Sequence, residues 1–150
     1  MLSMYERILV PIDGSAPAEA GLREAIAIAR EMKSRLVVLN VVSEFPVTLD
    51  GMALTNYDEI LAALNSAGEA LVAQAAHQAR EAGVEVETSV VDAAGRSACD
   101  VIVQEAATHH CALIAMGTHG RRGLRRMTLG SDAELVLRQS PVPVLLAKAS

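Results

Sequence analysis

Aromatic residues are almost absent from this sequence: they make up 2% of its 150 residues, and there is no Trp. Because 51% of the residues are nevertheless hydrophobic, the core must be filled by Ala, Val, Leu and Ile. An aliphatic core of this kind is typical of helices packed on a parallel sheet, whose strands are covered on both faces. The length is that of one ordinary domain, so we expect residues 1–150 to form a single domain.

Cysteine, positive charge and long apolar runs are also scarce. The two cysteines, Cys99 and Cys111, lie outside any CxxC motif, so we expect reduced thiols rather than a disulfide framework. A formal net charge of −5 argues against the broad basic surface that nucleic-acid binding needs. No apolar run approaches the ~20 residues that cross a bilayer, and residues 1–7 lack the pattern of a signal peptide. We therefore expect a cytoplasmic protein that binds neither nucleic acid nor membrane.

Short apolar runs alternate with segments of helical periodicity along the chain. Strands are predicted at 8–12, 36–42, 84–91, 112–116 and 141–147, with helices between them and a loop over 43–55. The alternating order favours an α/β fold in which one doubly wound, five-stranded parallel sheet carries helices on both faces. The third run alternates apolar and polar residues, which is typical of an edge strand. Ligands of such sheets bind beyond the carboxyl ends of the strands.

The strongest local signal follows the fourth predicted strand. Gly117-Thr118-His119-Gly120 is separated by nine residues from Gly130-Ser131, and four arginines, Arg122 among them, lie in between. Glycines let main-chain N–H groups approach an oxyanion, and a helix that begins at Ser131 presents free N–H groups and a positive dipole end. The segment therefore predicts an anion site. Ser131 and Glu134 also fit a capping box, which would explain both residues without a ligand.

Other chemical patterns are weak. His109-His110-Cys111 cannot close a tetrahedral metal site, because adjacent ligands lack the necessary geometry, and a helix end is the simpler interpretation. The chain has neither a Walker motif nor a G-x-G-x-x-G motif after its first strand. No Ser-His-acid set can be assembled from neighbouring motifs. We expect no catalytic residues and no protein-held metal.

In its motifs, the chain resembles the ATP-binding subgroup of the universal stress protein family. The shared pattern is G-x2-G-x9-G-S, and the similarity extends to residues 8–15, 39–42 and 141–146. Asn40 stands where the family more often has His, and Ser97 where it often has Pro. The resemblance implies a sheet order of 3-2-1-4-5, which would bring Asp13 and Gly117 to opposite sides of one crevice.

The resemblance also implies the residues that bind the nucleotide. Pro11, Asp13 and Val41 would surround the adenosine, with the main chain of Val41 reading the base. The glycines and Ser131 would hold the phosphates. The expected set is Pro11, Asp13, Val41, Met116, Gly117, Gly120, Arg122, Gly130, Ser131 and Asp132. For Asp13 the alternative is a turn or N-cap role, for which Ser15 competes. Asp132 replaces a small apolar residue, and its carboxylate would weaken ATP binding if it faced the phosphates without a bridging Mg²⁺.

These observations lead us to expect an ATP-binding regulatory protein of the stress response, with weak ATPase activity at most, because the loop offers no evident nucleophile or general base. Whether Mg²⁺ accompanies ATP stays open. Two alternatives are a slow Mg²⁺-dependent ATP hydrolase or nucleotidyl transferase, and an interaction module that binds no nucleotide. The resemblance further implies a homodimer joined through the C-terminal edge strand, 142–147, and a bare apolar edge invites such pairing.

Overall fold

The computed structural model describes residues 4–43, 57–119 and 129–149, in which strands and helices alternate. The strands are β1 (Arg7–Pro11), β2 (Arg35–Val42), β3 (Glu85–Asp92), β4 (Leu113–Gly117) and β5 (Val144–Ala147). The helices are α1 (Ala16–Met32), α2 (Tyr57–Glu81), α3 (Ala98–Thr108) and α4 (Ser131–Gln139). Of the predicted loop over 43–55, all but Ser43 lies outside the described residues.

The described strands form one five-stranded parallel sheet in the order β3-β2-β1-β4-β5. This order confirms the predicted doubly wound fold. The alternating strand β3 lies at one edge and has no fully buried residue, as the sequence pattern predicted. The first crossover leads from β1 to β2 on one side, whereas β4 pairs with β1 on the other. The winding direction therefore reverses between β1 and β4, at the place where such sheets bind ligands.

Each face of the sheet carries its own aliphatic core. Side chains alternate between the faces along each strand, so Ile8, Val10 and Val38 pack with α1 and α2. Leu9 and Ile114 point the opposite way and pack with α3 and α4. The largest fully buried side chains in the described ranges are all Ile, Leu or Val. Each of them contributes about 1.5–3 kcal/mol by leaving water, which explains how this chain forms a core with almost no aromatic residues.

Strand β5 is shorter than predicted, because Pro141 and Pro143 interrupt the apolar run ahead of it. The strand begins at Val144. Proline has no main-chain N–H to give to a sheet ladder, and the hydroxyl of Ser140 accepts a hydrogen bond from the N–H of Val142 at 3.1 Å, which forms a turn there. The carbonyl of Pro143 still accepts from Ile114 at 3.0 Å. The chain thus joins the ladder beside β4 from the carbonyl of the second proline onward.

Serine side chains cap two of the helices. Ser15 accepts from the N–H of Ala18 at 3.2 Å ahead of α1, and Ser97 accepts from Asp100 at 3.1 Å ahead of α3. Ser97, which stands where the related family often has Pro, is therefore the N-cap of α3. Within the described ranges, no helix is both long enough and apolar enough to cross a membrane.

Candidate functional site

The carboxyl ends of β1, β2 and β4 come together at one edge of the sheet. Pro11 pairs with Leu39, so Asp13, two residues further along, comes level with Val41. Leu9 pairs with Ile114, so Ile12 comes level with Gly117. Because parallel strands all end at the same edge, the structure brings the first and second predicted binding segments beside the end of β4.

The exit from β1 is a tight turn built around Asp13. One oxygen of its carboxylate accepts a hydrogen bond from the main-chain N–H of Ser15 at 2.9 Å. Gly14 lies between them with a φ of 84°, a left-handed conformation that favours glycine. Since Ser15 is the N-cap of α1, Asp13 holds the turn rather than the helix end. Asp13 is half-buried, and its position in an Asx-turn fixes the direction of its carboxylate.

The ladder of main-chain hydrogen bonds between β1 and β2 ends irregularly. The N–H of Ile12 donates to the carbonyl of Leu39 at 2.8 Å. In a regular parallel ladder the next bond would run from the N–H of Val41 to the carbonyl of Ile12. Instead, the side-chain amide of Asn40 donates to that carbonyl at 2.9 Å. Asn40 is only 8% exposed, so this bond is sheltered from water. Sequence reasoning noted Asn40 only as a departure from the related family and missed this contact.

Gly117 is required by packing at the end of β4. A Cβ atom at this position would lie 2.4 Å from the carbonyl carbon of Pro17 and 2.5 Å from its oxygen. One turn further along α1, a Cβ at Gly21 would lie 2.9 Å from the carbonyl carbon of Met116. The first turns of α1 therefore sit directly on the main chain that ends β4. The two predicted residues Met116 and Gly117 are buried beneath this contact.

The chain returns to the end of β4 just before α4. The N–H of Gly130 donates to the carbonyl of Thr118 at 2.8 Å, and a Cβ at Gly130 would lie 3.0 Å from that oxygen. Thr118 is buried, and its hydroxyl lies 2.9 Å from Nδ1 of His119. The N-terminus of α4 is thus held next to the strand end, as an anion site between them requires.

The capping box predicted at Ser131 is wrong. Gly130 is the N-cap and Ser131 is already the first helical residue; no side chain in the described part of the molecule caps α4. Glycine is itself an accepted N-cap, and it allows the close approach to Thr118. Glu134 instead forms an ion pair with Arg138 at 2.9 Å. The N–H groups of the first turn of α4, with the positive dipole end, therefore lie next to the end of β4 with no side-chain cap among the described residues.

Asp132, the second residue of α4, is exposed. The pKa of the Cys99 thiol on α3 is raised, first by burial, then by the negative charge of Asp100 and then by that of Asp132. An acid in the first turn of α4 also complements the helix dipole.

Two predicted site residues, Gly120 and Arg122, lie outside the described residues. The other eight are described: Pro11, Asp13 and Val41 on the side of β1 and β2, and Met116, Gly117, Gly130, Ser131 and Asp132 on the side of β4 and α4. The structure brings these two groups to one edge of the sheet. Binding of a nucleotide by them stays a prediction.

His109 and His110 lie at a helix end, as the sequence suggested. His109 is the C-cap of α3, and its Nε2 lies 2.9 Å from the Glu105 carboxylate. His110 follows with a φ of 54°. Across residues 4–43, 57–119 and 129–149, no group of three or more His, Cys, Asp or Glu side chains is arranged to hold a metal ion.

Two grooves lie at the opposite end of the sheet, where β1, β2 and β3 begin. They share Arg35, Gly83, Val84 and Glu85. Both are open, and Arg35 is engaged there by Glu85 at 2.7 Å. Because ligands of doubly wound sheets bind at the carboxyl ends of the strands, we place the functional site at the edge formed by Asp13, Val41 and Gly117 rather than in these grooves.

The sequence matches one known protein family over nearly its whole length. The universal stress protein family matches residues 4–148. The chain belongs to the universal stress protein family. It is 31% identical to the universal stress protein MJ0531 of Methanocaldococcus jannaschii, covering 97% of this chain and 84% of that one. It is 32% identical to the universal stress protein YxiE of Bacillus subtilis, covering 97% of this chain and 100% of YxiE.

Solved structures agree with this assignment. The structure of the protein MJ0577 has a TM-score of 0.83 at 26% identity and covers 98% of both chains. Two more distant structures are nucleotide complexes. One is a universal stress protein in complex with cAMP, with a TM-score of 0.65 at 23% identity, covering 97% of this chain and 98% of that one. The other, from Archaeoglobus fulgidus, is in complex with dAMP, with a TM-score of 0.61 at 24% identity, covering 97% and 99%. At 23% and 24% identity, the similarity to these two complexes shows a shared fold.

Proposed function

We propose that this universal stress protein is a regulatory binder of adenine nucleotides, with ATP as its ligand. The observation that carries the proposal is the convergence of the Asp13 turn with the start of α4, which no described side chain caps, at the one edge where the sheet reverses its winding. Two family members with the same fold are complexes with cAMP and dAMP, which supports an adenine nucleotide as the class of ligand.

The β1–β2 side suits the adenosine half of such a ligand. Asp13 is half-buried, and its turn directs an acceptor that suits ribose hydroxyl groups. Beside it, the N–H of Val41 forms no hydrogen bond with the carbonyl of Ile12, which accepts from the Asn40 amide instead. Among the described residues this N–H has no main-chain acceptor, and next to the half-buried Val41 side chain it suits the edge and face of a purine.

The β4–α4 side suits the phosphates. The N-terminus of α4 offers free N–H groups and the positive end of a nine-residue helix. Gly130, tied to Thr118 at 2.8 Å, keeps this helix end next to the end of β4. Arg122 and the neighbouring arginines of the sequence would add cations to the same phosphates. This arrangement binds an anion; in the described residues we identify no nucleophile or base positioned to cleave one.

Isothermal titration calorimetry on the purified chain, stripped of co-purified nucleotide, tests the proposal. ATP, AMP and cAMP are titrated in parallel, with GTP as the control for the base and tripolyphosphate as the control for the phosphates. We expect ATP to bind more tightly than either control. At 100 times its Kd, ATP should stabilise the fold by about 2.7 kcal/mol. No heat and no thermal shift with any adenine nucleotide would favour the nucleotide-free interaction module instead.

The same samples decide whether the protein is an enzyme. We expect phosphate release in the presence of Mg²⁺ to stay near background while ATP stays bound. Sustained Mg²⁺-dependent turnover, with bound ATP converted to product, would instead assign the site to a hydrolase or nucleotidyl transferase.

We further propose a homodimer joined through residues 142–147. Strand β5 is the edge of the sheet opposite β3, and its Val144, Leu145 and Leu146 are only half-buried. Leu137 on the adjacent α4 is 50% exposed, which adds apolar surface next to this edge. Burying such surface against a second copy would satisfy the open ladder. Sedimentation at micromolar concentration is expected to give a dimer, and a monomer there would rule this interface out.

A further inference from the structure

The buried Asn40 of β2 packs against Gly68 of α2, next to the proposed adenosine site. Asn40 is 8% exposed and Ile12 is 5% exposed, so the hydrogen bond between the Asn40 amide and the Ile12 carbonyl, 2.9 Å long, is sheltered from water. Gly68 is a buried residue in the middle of α2. A Cβ at Gly68 would lie 2.5 Å from Oδ1 of Asn40, so the glycine leaves the room that the amide occupies.

This contact changes how the β1–β2 ladder ends. The carbonyl of Leu39 accepts from Ile12 at 2.8 Å, which shows that the odd-numbered residues of β2 turn their main-chain groups toward β1. On the other side, the carbonyl of Val42 accepts from Ala93 at 2.8 Å, so the even-numbered residues face β3. The N–H of Val41 therefore points toward the exit of β1, where its regular acceptor would be the Ile12 carbonyl.

We infer that Asn40 is a positioning residue that ends the β1–β2 ladder one step early and so keeps the main-chain N–H of Val41 available for the base of the bound nucleotide. The inference rests on the proposed function only for the identity of the ligand. The role of Asn40 in the β1–β2 ladder, its structural half, can be tested without any ligand. By the same bond, Asn40 fixes the Ile12 carbonyl and hence the start of the Asp13 turn. Gly68 acts with Asn40, because any larger residue on α2 would push its amide away from Ile12.

Hydrogen exchange on the ligand-free chain tests the structural half. Asn40→Leu removes the donor, so the Ile12 carbonyl becomes available to the N–H of Val41, and we expect the exchange of that amide to slow at least tenfold. Asn65→Leu is the matched control: the amide of Asn65 also donates to a main-chain carbonyl, that of Leu61 at 3.0 Å, but within α2. It should leave the Val41 amide unchanged. Unchanged exchange at Val41 in Asn40→Leu would overturn the inference.

Nucleotide selectivity tests the functional half. In Asn40→Leu the preference for ATP over GTP should fall at least tenfold in the ratio of the two Kd values, while the affinity for tripolyphosphate stays within threefold of the original. A merely structural role would weaken all three ligands together, and that result would refute the positioning role. Asn40→His, which keeps an N–H donor, should retain the preference; if Asn40→Leu fails to fold, Asn40→Ala, which also removes the donor, takes its place.

The outcomes separate the inference from the proposed function. If the unmodified chain binds no adenine nucleotide, the proposed function fails, and the exchange of the Val41 amide still decides the role of Asn40 in the ladder. If the chain binds ATP and selectivity is the same in Asn40→Leu, the inference fails alone. Gly68→Ala adds a further check, since it should reproduce the loss of selectivity.

Discussion

Replacing Ser131 with proline removes one hydrogen-bond donor from the N-terminus of α4 while leaving the helix intact. Ser131 is the first residue of α4, and its N–H takes no part in the intrahelical ladder, whose first bond runs from Glu134 to the carbonyl of Gly130 at 2.9 Å. Proline is favoured at this position, because its fixed φ suits a helix. Gly130 has φ −60° and ψ 152°, an extended conformation that a following proline requires. Ser131→Pro therefore removes one main-chain N–H group from the start of α4.

The expected loss of affinity follows from the bond removed. A hydrogen bond to a charged group contributes about 1.5–3 kcal/mol, which corresponds to a roughly 10–150-fold weaker Kd for a phosphate ligand. Adenosine has no phosphate, so its binding should be unaffected. Ser131→Ala keeps the N–H and removes only the hydroxyl, so it separates the side chain from the main chain.

The chain offers a matched control at the start of α3. Ala98 is the first residue of that helix, its N-cap Ser97 has φ −71° and ψ 155°, and the first intrahelical bond runs from Val101 to Ser97 at 3.2 Å. Ala98→Pro should keep wild-type nucleotide binding. Calorimetry with ATP and with adenosine, together with thermal unfolding of each variant, measures the effect. Equal ATP affinity in Ser131→Pro and Ala98→Pro would refute phosphate binding at the start of α4.

Three further predictions concern single residues. Gly117→Ala should destabilise the ligand-free fold by about 1–3 kcal/mol in urea unfolding, because its Cβ would meet the carbonyl of Pro17 at 2.4 Å; an unchanged midpoint would contradict this packing. Asp132→Asn should strengthen ATP binding by less than about tenfold, since a charge pair 4 Å apart in water is worth about 1 kcal/mol, and a larger gain by calorimetry would place the carboxylate against the phosphates. Burial raises the pKa of the Cys111 thiol from 9.0 to about 11, so the folded state favours the neutral thiol, and this stabilisation is complete below pH 9 and lost as the pH rises to 11. Urea unfolding across that range should show a shallower decline for Cys111→Ala than for the unmodified chain, and equal slopes would contradict the raised pKa.

The sequence predicted the fold well because the fold depends on short-range patterns. The buried strands β1, β2 and β4 read as apolar runs, and β3 read as an edge strand, since burial on one or both faces leaves its mark in each strand separately. The strand order, in contrast, came from the resemblance, because alternation alone does not specify which strands are neighbours. The start of the last strand was predicted less accurately. An apolar run with two prolines predicted a strand over 141–147, whereas β5 begins at Val144.

The candidate site was predicted only as far as its local motifs reach. The Ser-x-x-Glu pattern at Ser131 could not distinguish an N-cap at Ser131 from one at Gly130, since the two choices differ by one residue and glycine is accepted there. The contact between Asn40 and Gly68 depends on how α2 packs against β2. It joins residues 28 positions apart along the chain, counting from 40 to 68, and Gly68 belongs to no motif that the sequence analysis identified. Such a contact leaves no periodic or compositional signal.

Several residues that the sequence assigned to a ligand also have a role in the fold. Gly117 is a glycine because Pro17 lies against it, and Asp13 holds a turn through Ser15. Both contacts join residues of the protein itself, so changing either residue alters packing or a turn as well as the proposed site. Loss of binding in a Gly117 or Asp13 variant would therefore reflect disturbed packing as much as a lost ligand contact. Deleting a single N–H at Ser131, or redirecting the one at Val41 through Asn40, changes what the site offers a nucleotide while leaving that packing in place, and for this reason these two changes are the informative tests of its function.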